Sequence, residues 1–191
     1  MNGLISSKIL WFSILICTVN IIVFFLVPSQ AFTLNLSLAY SEPWRLITFQ
    51  FFHVSLSHLM ENVIGMAFIA AIALELGIDF RRFFLVYIIS VFVVILPIAA
   101  FFPLSTVAGN STGVYGLLAL CLVKARRLVS AKITIPIMFL FIFSNSILNY
   151  AQCGYCFVQF FNGELFHLSG FLAGMILALT SGTRWKSLLK I

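Results

Sequence analysis

Three groups in this sequence have the side chains that acyl transfer uses: a serine among glycines, a histidine on a glycine-spaced run, and a histidine and asparagine one helical turn apart. Ser111 stands in Gly109-Asn110-Ser111-Thr112-Gly113-Val114-Tyr115-Gly116, His167 opens a run containing Gly170 and Gly174, and His58 precedes Asn62 by four positions. A serine hydroxyl is a poor nucleophile until a neighbouring imidazole accepts its proton. Attack on a carbonyl then creates an oxyanion, which needs preorganised donors in a water-poor site. His58 and Asn62 at i and i+4 share one helix face. Each residue alone has a plainer reading: a serine bonded to a backbone carbonyl, a histidine bridging two helices. Their joint occurrence favours chemistry.

The elements that must hold these residues are set by composition. Of the 191 residues 62% are hydrophobic, 8% are charged, and the mean hydropathy is +1.15. A soluble domain is closer to 45–50% apolar and about 25% charged. The chain therefore reads as a membrane protein. A net charge of +6 does not make it a nucleic-acid binder, because the basic residues lie in short loops rather than clustered on one face among stacking aromatics.

Apolar runs of roughly 17–25 residues cross a bilayer core, and six segments are expected to span: 9–27, 57–76, 83–102, 111–123, 133–150 and 164–182. With six spans, ten of the eleven Lys and Arg fall on one side, Arg45 in the long first loop being the exception. By the positive-inside rule both termini are expected in the cytoplasm. The first run has a core too long for a signal-peptide h-region and is expected to be a retained helix. Residues 28–56 are rich in Leu, Phe and Trp, with Pro28 and Pro43 as breakers, and are expected to lie in the membrane interface.

From Ser111 to Lys124 is thirteen residues, about 20 Å of helix against the roughly 30 Å of a bilayer core. The fourth span is therefore expected to start inside the membrane, with 104–110 dipping to meet it. Non-helical backbone survives at that depth only where protein or a water-filled cavity surrounds it. His167 and Asn62 each lie seventeen residues from a cytoplasmic marker, Arg184 and Asp79, or about 26 Å at helical rise. Ser, His and the His/Asn pair thus share the outer half of the bilayer, on three helices, where polar residues face the bundle interior and mark function.

These motifs resemble those of the rhomboid family. Trp44-Arg45, then His53 with His58 and Asn62, match its first-loop and second-helix pattern WR, then H-x4-H-x3-N; the Ser111 run is similar to GxSGxxYG; His167 to Gly174 is similar to HxxGxxxG. Order and spacing agree over about 40–182. The resemblance implies an all-α bundle of six transmembrane helices with a membrane-embedded first loop, of the minimal bacterial form, as a single domain over 1–191 with its core at about 9–182 and a short basic tail at 183–191. It also implies an inner-membrane serine endopeptidase that cuts transmembrane substrates near their outer end, acts without metal or cofactor, and has the lipid bilayer as its surroundings.

The implied roles follow by position. Ser111 is nucleophile and His167 its base, with no acidic third member required; Glu164, one turn from His167, could orient it. His58, Asn62 and Asn110 match the oxyanion site, and Tyr115 the tyrosine beneath the imidazole. Gly109 belongs to the serine motif. Gly113 and Gly116 on the fourth span, with Gly170 and Gly174 on the sixth, are expected to bring those two helices together. Trp44, Arg45 and His53 are structural, and Glu75 matches a buried acid that ties down a loop. The chain departs from the pattern at Thr112, where glycine is usual and a β-branched side chain is expected to narrow the substrate channel, and at Phe166, where a small residue is usual. Glu61 has no account in sequence.

Cys17 and Cys121 read as packing residues, while Cys153 and Cys156 form a CxxC in an outer loop as a disulfide or two free thiols. Two other classes stay open. One is an inactive rhomboid-like protein that binds or chaperones membrane segments, against which the intact Ser111 and His167 argue. The other is a transporter, which would call for inverted repeats that the chain lacks.

Overall fold

The computed structural model of the chain describes residues 2–27, 32–126, 128, 130, 132–133, 136 and 157–180, with side chains from Lys8 in the first helix and from Gly163 in the last. The expected fifth span at 133–150 falls almost wholly outside the described residues, as do Cys153, Cys156 and the basic tail. The remainder is helical, with one isolated backbone bridge between Leu34 and Val107. Helix α1 covers Asn2–Leu26, α2 Leu56–Glu75, α3 Phe80–Val93, α4 Ile95–Phe101, α5 Ser111–Ala125 and α6 Phe157–Thr180. Four stretches are long and apolar enough to cross a membrane: Lys8–Leu26, Leu56–Glu75, Phe80–Phe101 and Gly163–Thr180. The protein is an all-α membrane bundle.

Local chemistry sets the helix ends. Ser55 starts α2 by accepting from the His58 N–H at 3.2 Å, and Asp79 starts α3 by accepting from the Arg82 N–H at 3.2 Å; both are side-chain caps of the usual kind. Gly77, at φ +59°, makes the turn between them. The third expected span is one membrane-crossing stretch but two helices, α3 and α4, broken at Val94. Pro97 is the cause, since it has no N–H for the carbonyl four residues earlier. Helix α6 begins seven residues before the expected 164.

Helix α5 packs against α6, α3 and α2. Thr112, Gly113, Val114, Gly116, Leu117, Ala119, Leu120 and Cys121 are all buried, so the helix is covered on most of its circumference. A helix of about 22 Å enclosed in this way need not reach both membrane faces itself.

The first loop is folded onto the bundle. Arg45 is buried, pairs with Glu42 and donates to the Thr33 carbonyl at 3.0 Å. Leu34 and Val107 exchange backbone hydrogen bonds of 2.8 and 2.9 Å, and the Gly109 N–H donates to the Phe49 carbonyl at 2.9 Å. These bonds pair backbone groups of the irregular segment leading into α5. Leu34 and Phe49 face inward while Tyr40, Trp44 and Ile47 face outward.

Candidate active site

Ser111 is the first residue of α5 and His167 stands on α6. Their side chains meet, with Ser111 Oγ 3.0 Å from His167 Nε2. The Tyr115 ring, one turn along α5 from Ser111, lies beneath the imidazole with centroids 4.5 Å apart and planes 22° from parallel. This stacking restricts the imidazole to the plane in which Nε2 faces the hydroxyl. On the other edge of the ring, Glu164 Oε2 is 3.5 Å from Nδ1.

Two cavities meet at this pair. One, of about 700 Å³, runs between α2 and α5 past Met60, Ile64, Phe68 and Leu118; the other, of about 660 Å³, opens between the start of α2 with the residues before it, Val54 and Ser55, and the loop at 105–109. His58, Glu61, Ser111 and His167 line both. The first is walled mainly by apolar side chains, and Met60, Ile64 and Phe68 are each about half exposed along one stripe of α2. The second is lined by more polar loop backbone and serines.

Donors surround Ser111. Its own N–H and that of Thr112 open α5, and no backbone carbonyl among the described residues accepts from them, as expected in the first turn of a helix. His58 lies against Gly109, whose φ of +102° and proximity to the imidazole both exclude a side chain: a Cβ there would be 2.8 Å from His58 Cε1. Asn62 uses one amide hydrogen on the His58 carbonyl at 2.8 Å. An amide NH₂ has two, and among the described residues no partner takes the second; Asn62 lines the first cavity.

The rhomboid-domain family model matches residues 40–184. The chain belongs to the rhomboid family. That family is one of intramembrane proteases built as helical membrane bundles. No curated protein matches the chain.

Several expectations are revised by the packing of this rhomboid. Asn110 is fully buried and points away from the cavities: its Nδ2 donates to the Tyr87 hydroxyl at 3.1 Å and its Oδ1 accepts from Asn20 Nδ2 at 3.3 Å. It ties the start of α5 to α1 and α3. Gly113 faces α3 rather than α6, since a Cβ there would lie 2.5 Å from Val91 and 2.8 Å from Tyr87. The residue opposite Gly170 is Thr112, whose carbonyl oxygen would be 2.2 Å from an added Cβ; Gly174 meets Gly116 in the same way, at 2.1 Å. The two α6 glycines thus make the close approach to the α5 backbone, while Gly116 itself, like Gly113, mainly makes room for α3: a Cβ there would lie 2.0 Å from Ser90 Oγ and 3.1 Å from the Gly170 carbonyl oxygen.

Thr112 lines the second cavity, and its hydroxyl is turned toward α3. It is 3% exposed, and its hydroxyl donates to the Val91 carbonyl at 3.3 Å. Phe166 packs edge-on against Phe102, with centroids 5.9 Å apart. Glu75 is exposed at the end of α2, not buried. Trp44 is half exposed and His53 is buried beside His58, with ring centroids 5.1 Å apart. Burial first, and the neighbouring His58 second, push the His53 imidazole down to about 4. Sequence reasoning missed Asn20 and Tyr87. Their signal was a lone amide and a lone phenol in apolar spans, which at such depth need a polar partner.

Proposed function

We propose that this rhomboid is an active intramembrane serine endopeptidase, with Ser111 as nucleophile and His167 as general base, cutting transmembrane segments near their outer ends. The observation that carries the reading is the 3.0 Å approach of Ser111 Oγ to His167 Nε2 over the Tyr115 ring. Nucleophile, base and a group that holds the base are the parts such catalysis needs.

In the mechanism, Ser111 Oγ attacks the scissile carbonyl carbon while its proton passes to Nε2. The carbonyl oxygen becomes an oxyanion, facing the N–H groups at the start of α5 and the side chains of His58 and Asn62. Collapse breaks the C–N bond, and His167 gives its proton to the departing amine. Water then enters, loses a proton to His167 and hydrolyses the acyl-serine. The cavity between α2 and α5 suits an apolar helical substrate, and the loop-lined cavity suits access of water. The distribution of basic residues supports an orientation with both termini cytoplasmic and the site toward the outer face.

The test is cleavage of a model transmembrane substrate in proteoliposomes, with Ser111→Ala and His167→Ala beside wild type. Wild type should cleave and react with a fluorophosphonate at Ser111, and both variants should lose cleavage while keeping their fold. Members of such a unit lose activity non-additively, so the double variant should be no worse than either single one. A folded wild type that neither cleaves nor labels would favour the inactive, segment-binding alternative.

A further inference from the structure

We propose that Glu164 is a positioning residue for His167, so that this chain uses an oriented Ser-His-Glu arrangement where its family pattern requires only a dyad; the inference rests on the roles proposed above for Ser111 and His167. The argument begins with tautomers. For Nε2 to take the Ser111 proton it must be bare, and the proton of neutral imidazole must then sit on Nδ1. Nδ1 of His167 is buried from solvent and has no hydrogen-bond partner among the described residues. Glu164 Oε2 stands 3.5 Å away, on the same face of α6 at i and i+3.

That distance is slightly beyond a hydrogen bond, and catalytic contacts often are long without substrate and tighten when charge develops. Here the charge is the imidazolium formed on attack, and the carboxylate beside Nδ1 is its counter-charge. Burial makes the pairing count, because Glu164 is 5% exposed and the local dielectric is low. The other titratable groups around His167 are Ser111 and Tyr115 from α5 and His58 from α2, with Glu61 of α2 acting on His58 and Tyr115. Glu61 is exposed. Glu164 is the buried carboxylate, and it faces the nitrogen that a positioning acid must face. A buried ionisable residue in a membrane helix is also a functional signal in itself.

The experiment uses the full chain in proteoliposomes and compares wild type, Ser111→Ala, Glu164→Gln and Glu164→Asp. Glu164→Gln keeps the size and removes the charge. Its kcat should fall by about 10²–10⁴, the upper end being the cost of the equivalent change in a soluble serine protease. KM should change little, so that the loss falls on kcat. Glu164→Asp should recover part of the rate. A purely structural role would alter yield or melting temperature without this split between kcat and KM and without rescue by aspartate. If Ser111→Ala is inactive but Glu164→Gln retains wild-type kcat, the positioning role is refuted while the nucleophile stands. If Ser111→Ala still cleaves, both fall. Should Glu164→Gln not fold, ¹⁵N-histidine NMR of folded Ser111→Ala decides: a proton on Nδ1 of His167 supports the proposal, and one on Nε2 overturns it. With three histidines in the chain, the signals can be assigned by single substitutions.

Discussion

Replacing Gly170 with alanine should leave the bundle folded and remove most of the activity. The added Cβ would sit 2.2 Å from the Thr112 carbonyl oxygen and 2.8 Å from its carbonyl carbon. Both are backbone atoms of a packed helix, so no side chain can swing aside. Restoring ordinary contact requires α5 and α6 to separate by about 1 Å or more. His167 is one turn before Gly170 and Ser111 is adjacent to Thr112, so the shift is felt directly at the 3.0 Å Ser111–His167 contact. At about 4 Å that contact is no longer a hydrogen bond, and a displacement of this size costs on the order of 10² in rate. The stability cost is smaller, about 1–3 kcal/mol for overpacking, offset by up to about 1 kcal/mol from the better helix propensity of alanine. The assay is kcat for a transmembrane substrate in proteoliposomes, with a melting curve in detergent. Gly163→Ala is the control, since a Cβ there meets nothing within 4 Å. Wild-type turnover in Gly170→Ala would refute the claim that glycine contacts set the distance between nucleophile and base.

Asn110→Ala should lower stability by about 1–3 kcal/mol, through loss of its bonds to Tyr87 and Asn20, whereas Asn62→Ala should keep its stability and lose at least about tenfold in kcat; the reverse pattern in paired melting and kinetic measurements would return the oxyanion role to Asn110. Protonation of His53 should destabilise the fold between about pH 6.5 and about 4, because the unfolded imidazole binds a proton near 6.5 and the folded one near 4. Stability is then fully present above that window and is lost as pH falls through it, and His53→Asn should flatten this part of a melting-temperature profile. Arg45→Ala should lower the melting temperature, since it leaves the Thr33 carbonyl and Glu42 without their shared cation; an unchanged temperature would mean that the first loop is held by other contacts.

Sequence by itself determined the membrane class, the positions of α1, α2, α5 and the α3–α4 stretch, and the pairing of Ser111 with His167 and Tyr115. The spans rest on properties that a linear chain displays, the length of apolar runs and helical rise, whereas the pairing of Ser111 with His167 and Tyr115 came from the resemblance of its motifs to those of rhomboids. The early start of α5 was legible because thirteen residues cannot cross a bilayer core. Which neighbour each side chain meets across helices was not legible, since that depends on the rotation of one helix about its axis relative to the next. A quarter turn decides whether Gly113 faces α6 or α3, whether the Thr112 hydroxyl reaches the Val91 carbonyl, and whether Asn110 clasps Asn20 and Tyr87. Periodicity places Glu164 on the face of His167, but only the packed bundle decides that its carboxylate is buried 3.5 Å from Nδ1. Motifs carry the types of the reacting groups, and their distances and partners come from rigid-body packing, to which residues scattered over 150 positions contribute through contacts that no local pattern records.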